Sequence, residues 1–155
     1  QTPETLGNDR RGLAAAAVFE FKDRPTLVID AGTCITYDVV NEEKAYLGGA
    51  IAPGLTMRYQ SLPQFTAALP LITANHQPVE LIGNTTHNSI KSGVQNGLVA
   101  EVEGTIERYQ SRFKNLAVVI TGGDAQLFAH LTKNSIFARP NFLLTGLNFI
   151  LEYNA

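Results

Sequence analysis

Apolar positions in this chain follow two rhythms, and their order sketches the fold. Arg10–Phe21 (RRGLAAAAVFEF) is Ala-rich and strongly helix-prone. Residues 1–9 before it are polar and turn-like, and Asp9 is placed to cap the helix with its carboxylate. Lys22–Pro25 is a charged break and a candidate hinge. Leu27–Ile29 is a short continuous apolar run, the pattern of a strand buried on both faces. In Thr33–Val40, Ile35, Tyr37 and Val39 alternate with Thr36, Asp38 and Val40, a period-two strand. After the polar turn Asn41–Lys44, Ala45–Ile51 reads as a third strand ending in Ala52-Pro53-Gly54. Short turns between three successive strands predict an antiparallel meander.

The rhythm then lengthens. Leu55–Leu62 reads as a short helix, and Pro63–Pro78, which holds three prolines, as irregular linker. From Thr85 to Phe113 the apolar residues Ile90, Val94, Leu98, Val102, Ile106, Tyr109 and Phe113 recur in steps of four and three, one face of a long helix. Gly93 and Gly97 are assigned to that face, where a close backbone approach would offset their low helix propensity. Leu116–Thr121 is another buried strand, followed by Gly122-Gly123 and a helix from Asp124 to about Lys133. A short strand near Phe142–Leu144 and a helix from Thr145 to Tyr153 follow. The order predicts a mixed α/β architecture, its sheet antiparallel at first and parallel afterwards.

Composition narrows the class. The chain has 155 residues, enough for one compact domain or for part of a two-lobed protein. Hydrophobic residues make up 45% and charged residues 17%, a globular rather than disordered balance. A net charge of -2 provides no basic field for nucleic acid or an anionic membrane. No apolar run approaches the length of a membrane span. The single cysteine, Cys34, excludes an internal disulfide, fits a reducing compartment and reads as a small buried residue. The first residues lack the apolar stretch of a signal peptide and an initiator Met, which points to a processed chain or a fragment.

Candidate chemistry lies where glycines meet polar residues. Asp30-Ala31-Gly32-Thr33, Gly48-Gly49 and Thr121-Gly122-Gly123-Asp124 each read as a strand end at which backbone could approach a phosphate. Asp30 beside such a turn would repel phosphate unless a cation lay between them; the plain alternative is that all three are only turns. There is no GxxxxGK[ST] loop, no GxGxxG, no HExxH and no His/Cys cluster, and His76, His87 and His130 are scattered. In Gly7-Asn8-Asp9-Arg10 an acid adjoins a guanidinium, a pair that can accept a proton and clamp a carboxylate, or simply cap a helix beside a solvated Arg.

The ordered series GNDR, VIDAGTCITYDVV, YLGGAIAPG, Leu69-Pro70, LIGNTT and VVITGGDA resembles type III pantothenate kinase over nearly the whole chain. The resemblance implies the acetate kinase, sugar kinase, Hsp70 and actin superfamily, with two ribonuclease-H-like lobes around a nucleotide cleft. It implies ATP-dependent phosphorylation of pantothenate toward coenzyme A by a cytoplasmic homodimer, with a monovalent cation (potassium or ammonium) and Mg²⁺ carried by ATP. Gly7, Asn8, Asp9 and Arg10 would line the pantothenate site, with Asp9 as general base and Arg10 on the substrate carboxylate. Asp30 would bind the cation, while Gly32 and Thr33 would meet the ATP phosphates. Thr86 would reach pantothenate across the dimer interface, and Gly122 and Gly123 would lie near the nucleoside. The family's first phosphate loop, Asp-x-Gly-Asn, does not occur in this chain. Residues 1–23 therefore correspond to the tail of an N-terminal lobe and 24–155 to the second lobe, which implies little activity for this chain alone. A non-catalytic accessory role in transcription and a related small-molecule kinase are the alternatives.

Overall fold

β-Branched and aromatic residues fill the segments that pair, and Ala, Leu and long polar residues fill those that coil. The computed structural model describes residues 5–131 and 136–155. Its elements run α1 (Asn8–Glu20), β1 (Thr26–Ala31), β2 (Cys34–Val40), β3 (Tyr46–Pro53), α2 (Leu55–Phe65), α3 (Thr86–Arg112), β4 (Ala117–Thr121), a 3₁₀ helix (Ala125–Leu131), β5 (Ile136–Ala138) and α4 (Phe142–Tyr153). The strands form one sheet in the order β3-β2-β1-β4-β5. β1, β2 and β3 are the antiparallel meander, and β4 and β5 join in parallel on the other side of β1.

Strand periodicity divides the core into two layers. Leu27, Ile29, Tyr37, Val39, Val118 and Ile120 point to one face, where Ile90, Val94, Leu98, Val102 and Ile106 of α3 cover them with α2 and the 3₁₀ helix. Val28, Val40 and Val119 point to the other, where Leu13, Ala16 and Ala17 of α1 and Phe142 of α4 lie. The small alanines of α1 let it settle close to the sheet. α4 then crosses α1 at two glycines: a Cβ on Gly146 would lie 1.8 Å from the carbonyl oxygen of Gly12. Only a residue without a side chain permits that contact.

Several boundaries differ from the sequence reading. Asp9 is not the cap of α1; Gly7 holds that position without a side-chain hydrogen bond, and Asp9 lies inside the first turn. Its charge there still opposes the positive end of the helix dipole. Pro63 lies inside α2 rather than opening the linker; it offers no N–H to the carbonyl four residues back, and the helix ends two residues later at Phe65. The helix after Gly123 is 3₁₀, tied by Ala125 N–H to Gly122 O and Leu127 N–H to Asp124 O, while residues 132–133 of the expected helix lie outside the described residues. Residues 1–4 of the expected polar turn lie outside them too. The last strand is Ile136–Ala138; Phe142–Leu144 opens α4 and carries Phe142 into the core beneath α1. A short apolar run fits either element, and tertiary packing decides it. Gly93 and Gly97 are exposed, and a Cβ on either would meet no atom within 4 Å, so no backbone approaches them among the described residues.

Candidate active site

The C-terminal ends of β1 and β4 lie side by side because the two strands are parallel. Asp30 pairs with Thr121 on β4 and with Thr36 on β2, so an acid stands between two hydroxyl residues on the α1 face of the sheet. Gly122 follows with φ +94, and a Cβ there would lie 2.5 Å from Asp30 Oδ1 and 2.3 Å from the carbonyl oxygen of Ala31. Asp124 N–H donates to that same carbonyl at 2.9 Å. Asp30 and Gly122 are thus in direct contact, and Gly123 is exposed beside them.

Gly32 and Thr33 form the tight β1–β2 turn, with Gly32 N–H bonded to Cys34 O at 3.0 Å. Gly54, at the end of β3, presses against the back of this turn: its N–H donates to Thr33 O, and a Cβ there would lie 2.1 Å from Gly32 O. Thr33 is exposed at the tip. Gly48 and Gly49, by contrast, lie inside β3 rather than at a strand end. Gly48 has φ +100 at a register shift, and a Cβ on Gly49 would collide with the carbonyl oxygen of Tyr37. Both serve the sheet.

α1 brings the second cluster to the same end. Asn8 opens the helix, and the Asp9 carboxylate folds back over Gly7, where a Cβ would stand 2.4 Å from Asp9 Oδ1. Asp9 is exposed and Asp30 half-buried. Burial raises the Asp30 carboxyl above the ordinary Asp range, and the negative charges of Asp9 and Asp38 push it further the same way. Arg10 is neither solvated nor turned to open water. Its Nη2 meets Asp38 Oδ1 at 2.7 Å and the Tyr46 hydroxyl at 3.0 Å, and its Nε donates to the same carboxylate at 2.9 Å. The hydrogen bonds to Asp38 raise its pKa above the ordinary Arg value.

Asp9, Arg10, Asp30, Gly32, Thr33, Gly122 and Gly123 therefore belong to one end of the sheet, while Thr86 does not. At 27 residues α3 is about 40 Å long, roughly twice the five-residue β4 beneath it. Its N-terminus overhangs the sheet on the opposite face. There Thr86 lines a cavity of about 820 Å³ with Arg58, Leu62, Asn84 and Thr85. A smaller cavity of about 370 Å³ opens beyond Gly122 and Gly123, between the 3₁₀ helix and Arg139-Pro140. Cys34 is exposed rather than buried, at the outermost position of β2, with Sγ 3.9 Å from Met57 Sδ. His76 is not idle: its Nε2 meets Asp124 Oδ1 at 2.7 Å and ties the linker to the glycine turn.

Asp38, Tyr46 and Gly54 lie within the runs VIDAGTCITYDVV and YLGGAIAPG, but sequence reasoning gave none of them a role. By pattern alone, Asp38 stands out as an acid within an otherwise apolar alternation. The donor set around Asp30 is oxygen alone. Thr36 Oγ1, on the residue directly across from it, is buried without a hydrogen-bond partner. An orphaned hydroxyl beside a carboxylate suits a hard cation with oxygen ligands. Among the described residues no three His, Cys, Asp or Glu side chains gather into a metal-holding group.

A family model described as type III pantothenate kinase matches residues 1–108. The type III pantothenate kinase of Christiangramia forsetii is 56% identical over 153 residues, which is 99% of this chain and 63% of that protein. That of Flavobacterium johnsoniae is 52% identical over 152 residues, 98% of this chain and 62% of its own length. The chain thus spans less than two thirds of the curated relatives it matches. Among solved structures, a Campylobacter jejuni protein assigned to the Baf family of transcriptional activators superposes with a TM-score of 0.68 at 24% identity, over 99% of this chain and 67% of that one. The Alp12 filament superposes with a TM-score of 0.57 at 15% identity, over 94% and 51%. Those likenesses show the fold, an actin-like one with a mixed sheet that starts as a three-strand meander. With the family model matching well over half of its residues, the chain belongs to the type III pantothenate kinase family.

Proposed function

We propose that the protein containing this chain transfers the γ-phosphoryl group of ATP to the hydroxyl of pantothenate. The observation that carries this reading is the meeting of the α1 start with the ends of β1 and β4, which puts Asp9 and Asp30 within electrostatic reach of each other beside two glycine turns. Asp9, open to solvent at the helix start, accepts the hydroxyl proton. The alcohol oxygen then bonds to the γ-phosphorus as the bond to the bridging oxygen breaks and ADP leaves. Gly7 and Asn8 flank the substrate, and Arg10 offers Nη1 to its carboxylate, since Nε and Nη2 are turned to Asp38. Gly32 and Thr33 bring backbone and hydroxyl donors to the phosphates. The cavity beyond Gly122 and Gly123 receives the nucleoside. Asp30, with Thr36 across from it, holds the monovalent cation. That ion and nucleotide-bound Mg²⁺ offset phosphate charge when bound. Thr86, remote from Asp9 within one chain, contacts the substrate of a second copy in a homodimer. Residues 1–23 form the tail of a first lobe, and 24–155 the second lobe.

Asp9→Asn in the full-length protein tests the reading. The expected result is a loss of pantothenate phosphorylation by a factor on the order of 10² to 10⁴ with the thermal midpoint unchanged. Full turnover by the variant would exclude Asp9 as the base.

A further inference from the structure

Asp38 takes no part in the chemistry above, yet its surroundings are elaborate. Its side chain is fully buried in the middle of β2, opposite Val28. Arg10 reaches it from α1 with two nitrogens, and Tyr46 closes a triangle. The Tyr46 hydroxyl donates to Asp38 Oδ1 at 2.6 Å and accepts from Arg10 Nη2 at 3.0 Å. A carboxylate so deep in a sheet is tolerated only when paired and hydrogen-bonded.

The Tyr46 arm depends on a defect in the sheet. Between Val39 and Val40 the β2–β3 register shifts, so that Val40 pairs with Tyr46 while Val39 pairs with Gly48. In an unbroken register Tyr46 would lie across from Asn41 and point to the α3 face, because side chains alternate with period two. The bulge, made possible by the positive φ of Gly48, turns Tyr46 to the α1 face instead. Arg10 directly follows Asp9, so a guanidinium fixed at both edges fixes the first helical turn. Gly7 leaves the space into which the Asp9 carboxylate folds.

We propose that Asp38 and Tyr46 are positioning residues for the phosphoryl transfer: through Arg10 they hold the first turn of α1 so that Asp9 stands beside Asp30. This rests on the reading of Asp9 as the base. A purely structural pair would contribute to folding and leave turnover of the folded enzyme unchanged.

The test compares Tyr46→Phe, Asp38→Asn, Asp9→Asn and the double variant Asp9→Asn/Tyr46→Phe in the full-length protein. Steady-state pantothenate phosphorylation is the readout, normalised to folded protein. Since small displacements of a catalytic group reduce rates steeply, Tyr46→Phe is expected to lower kcat about tenfold and Asp38→Asn about a hundredfold, with KM for ATP within about twofold. In the Asp9→Asn background, adding Tyr46→Phe is expected to cost less than about twofold, because a residue that acts through Asp9 has nothing left to position. Unchanged kcat in Tyr46→Phe, or an equal loss in both backgrounds, overturns the proposal while leaving Asp9 as the base. Full turnover by Asp9→Asn overturns the base reading and the positioning role together. Should Asp38→Asn fail to fold, the Tyr46→Phe pair decides alone.

Discussion

Asp30 is held where its own ionisation is resisted. It is half-buried at the end of β1, with two further acids near enough to push its carboxyl upward. A carboxyl that holds its proton more tightly in the folded chain than in the unfolded one weakens the fold wherever it is ionised. That cost is full above the folded value, fades as pH falls from there toward the unfolded value of about 3.9, and is gone below it. Asp30→Asn should therefore stabilise the ligand-free chain at neutral pH, by on the order of 0.5 kcal/mol or about 2 °C in thermal midpoint. The gain should shrink on acidification toward pH 4 and also on titration with potassium, which would relieve the same charge in the parent. A midpoint at pH 7 no higher than the parent's would contradict this account. Such a residue was legible in sequence because an acid beside a glycine turn is unusual chemistry. Asp38 was less so: nothing local indicates that its partner lies in a helix before the first strand or that a bulge brings Tyr46 to it.

Among the elements, α3 was the most legible and its setting the least. Steps of four and three along the chain marked its buried face, and Ile90, Val94, Leu98, Val102 and Ile106 lie there. Its N-terminus is fixed by two local devices. Thr85 accepts a hydrogen bond from Asn88 N–H at 3.1 Å, and the backbone of Gly83 lies so close that a Cβ would sit 2.2 Å from Ser89 N. Thr85→Ala should lower stability by about 1 kcal/mol, a fall of about 2–4 °C that calorimetry can read, while Thr85→Ser should be near neutral. The same periodicity argument failed for Phe142–Leu144, because three apolar residues fit either rhythm. It failed for Gly93 and Gly97 because steps of four locate a face only after its centre is known, and that centre is set by the sheet.

For the molecule as a whole, the meander and the parallel return of β4 were readable from strand spacing, since short turns leave little choice of topology. The crossing of α1 and α4 was not, for it joins glycines far apart in the chain. The site on one end of this sheet offers donors from one side only, and phosphoryl transfer depends on charge stabilisation around the whole γ-phosphate. We expect this chain alone to release ADP at a rate at least about 10²-fold below the full-length protein, with recovery when a first lobe is supplied separately. Turnover by the chain alone comparable to that of the full-length protein would refute it.

The Gly12–Gly146 crossing also has a bearing on time. Ribosomes deliver about 5–20 residues per second, so α4 leaves the ribosome on the order of ten seconds after α1. Through that interval the helix bearing Asp9 has no cover on its outer side, and Leu13, Ala16 and Ala17 await the Phe142 ring that completes their layer. The helix that carries Asp9 is thus among the first of these elements to be synthesised, and its outer side is the last to be covered.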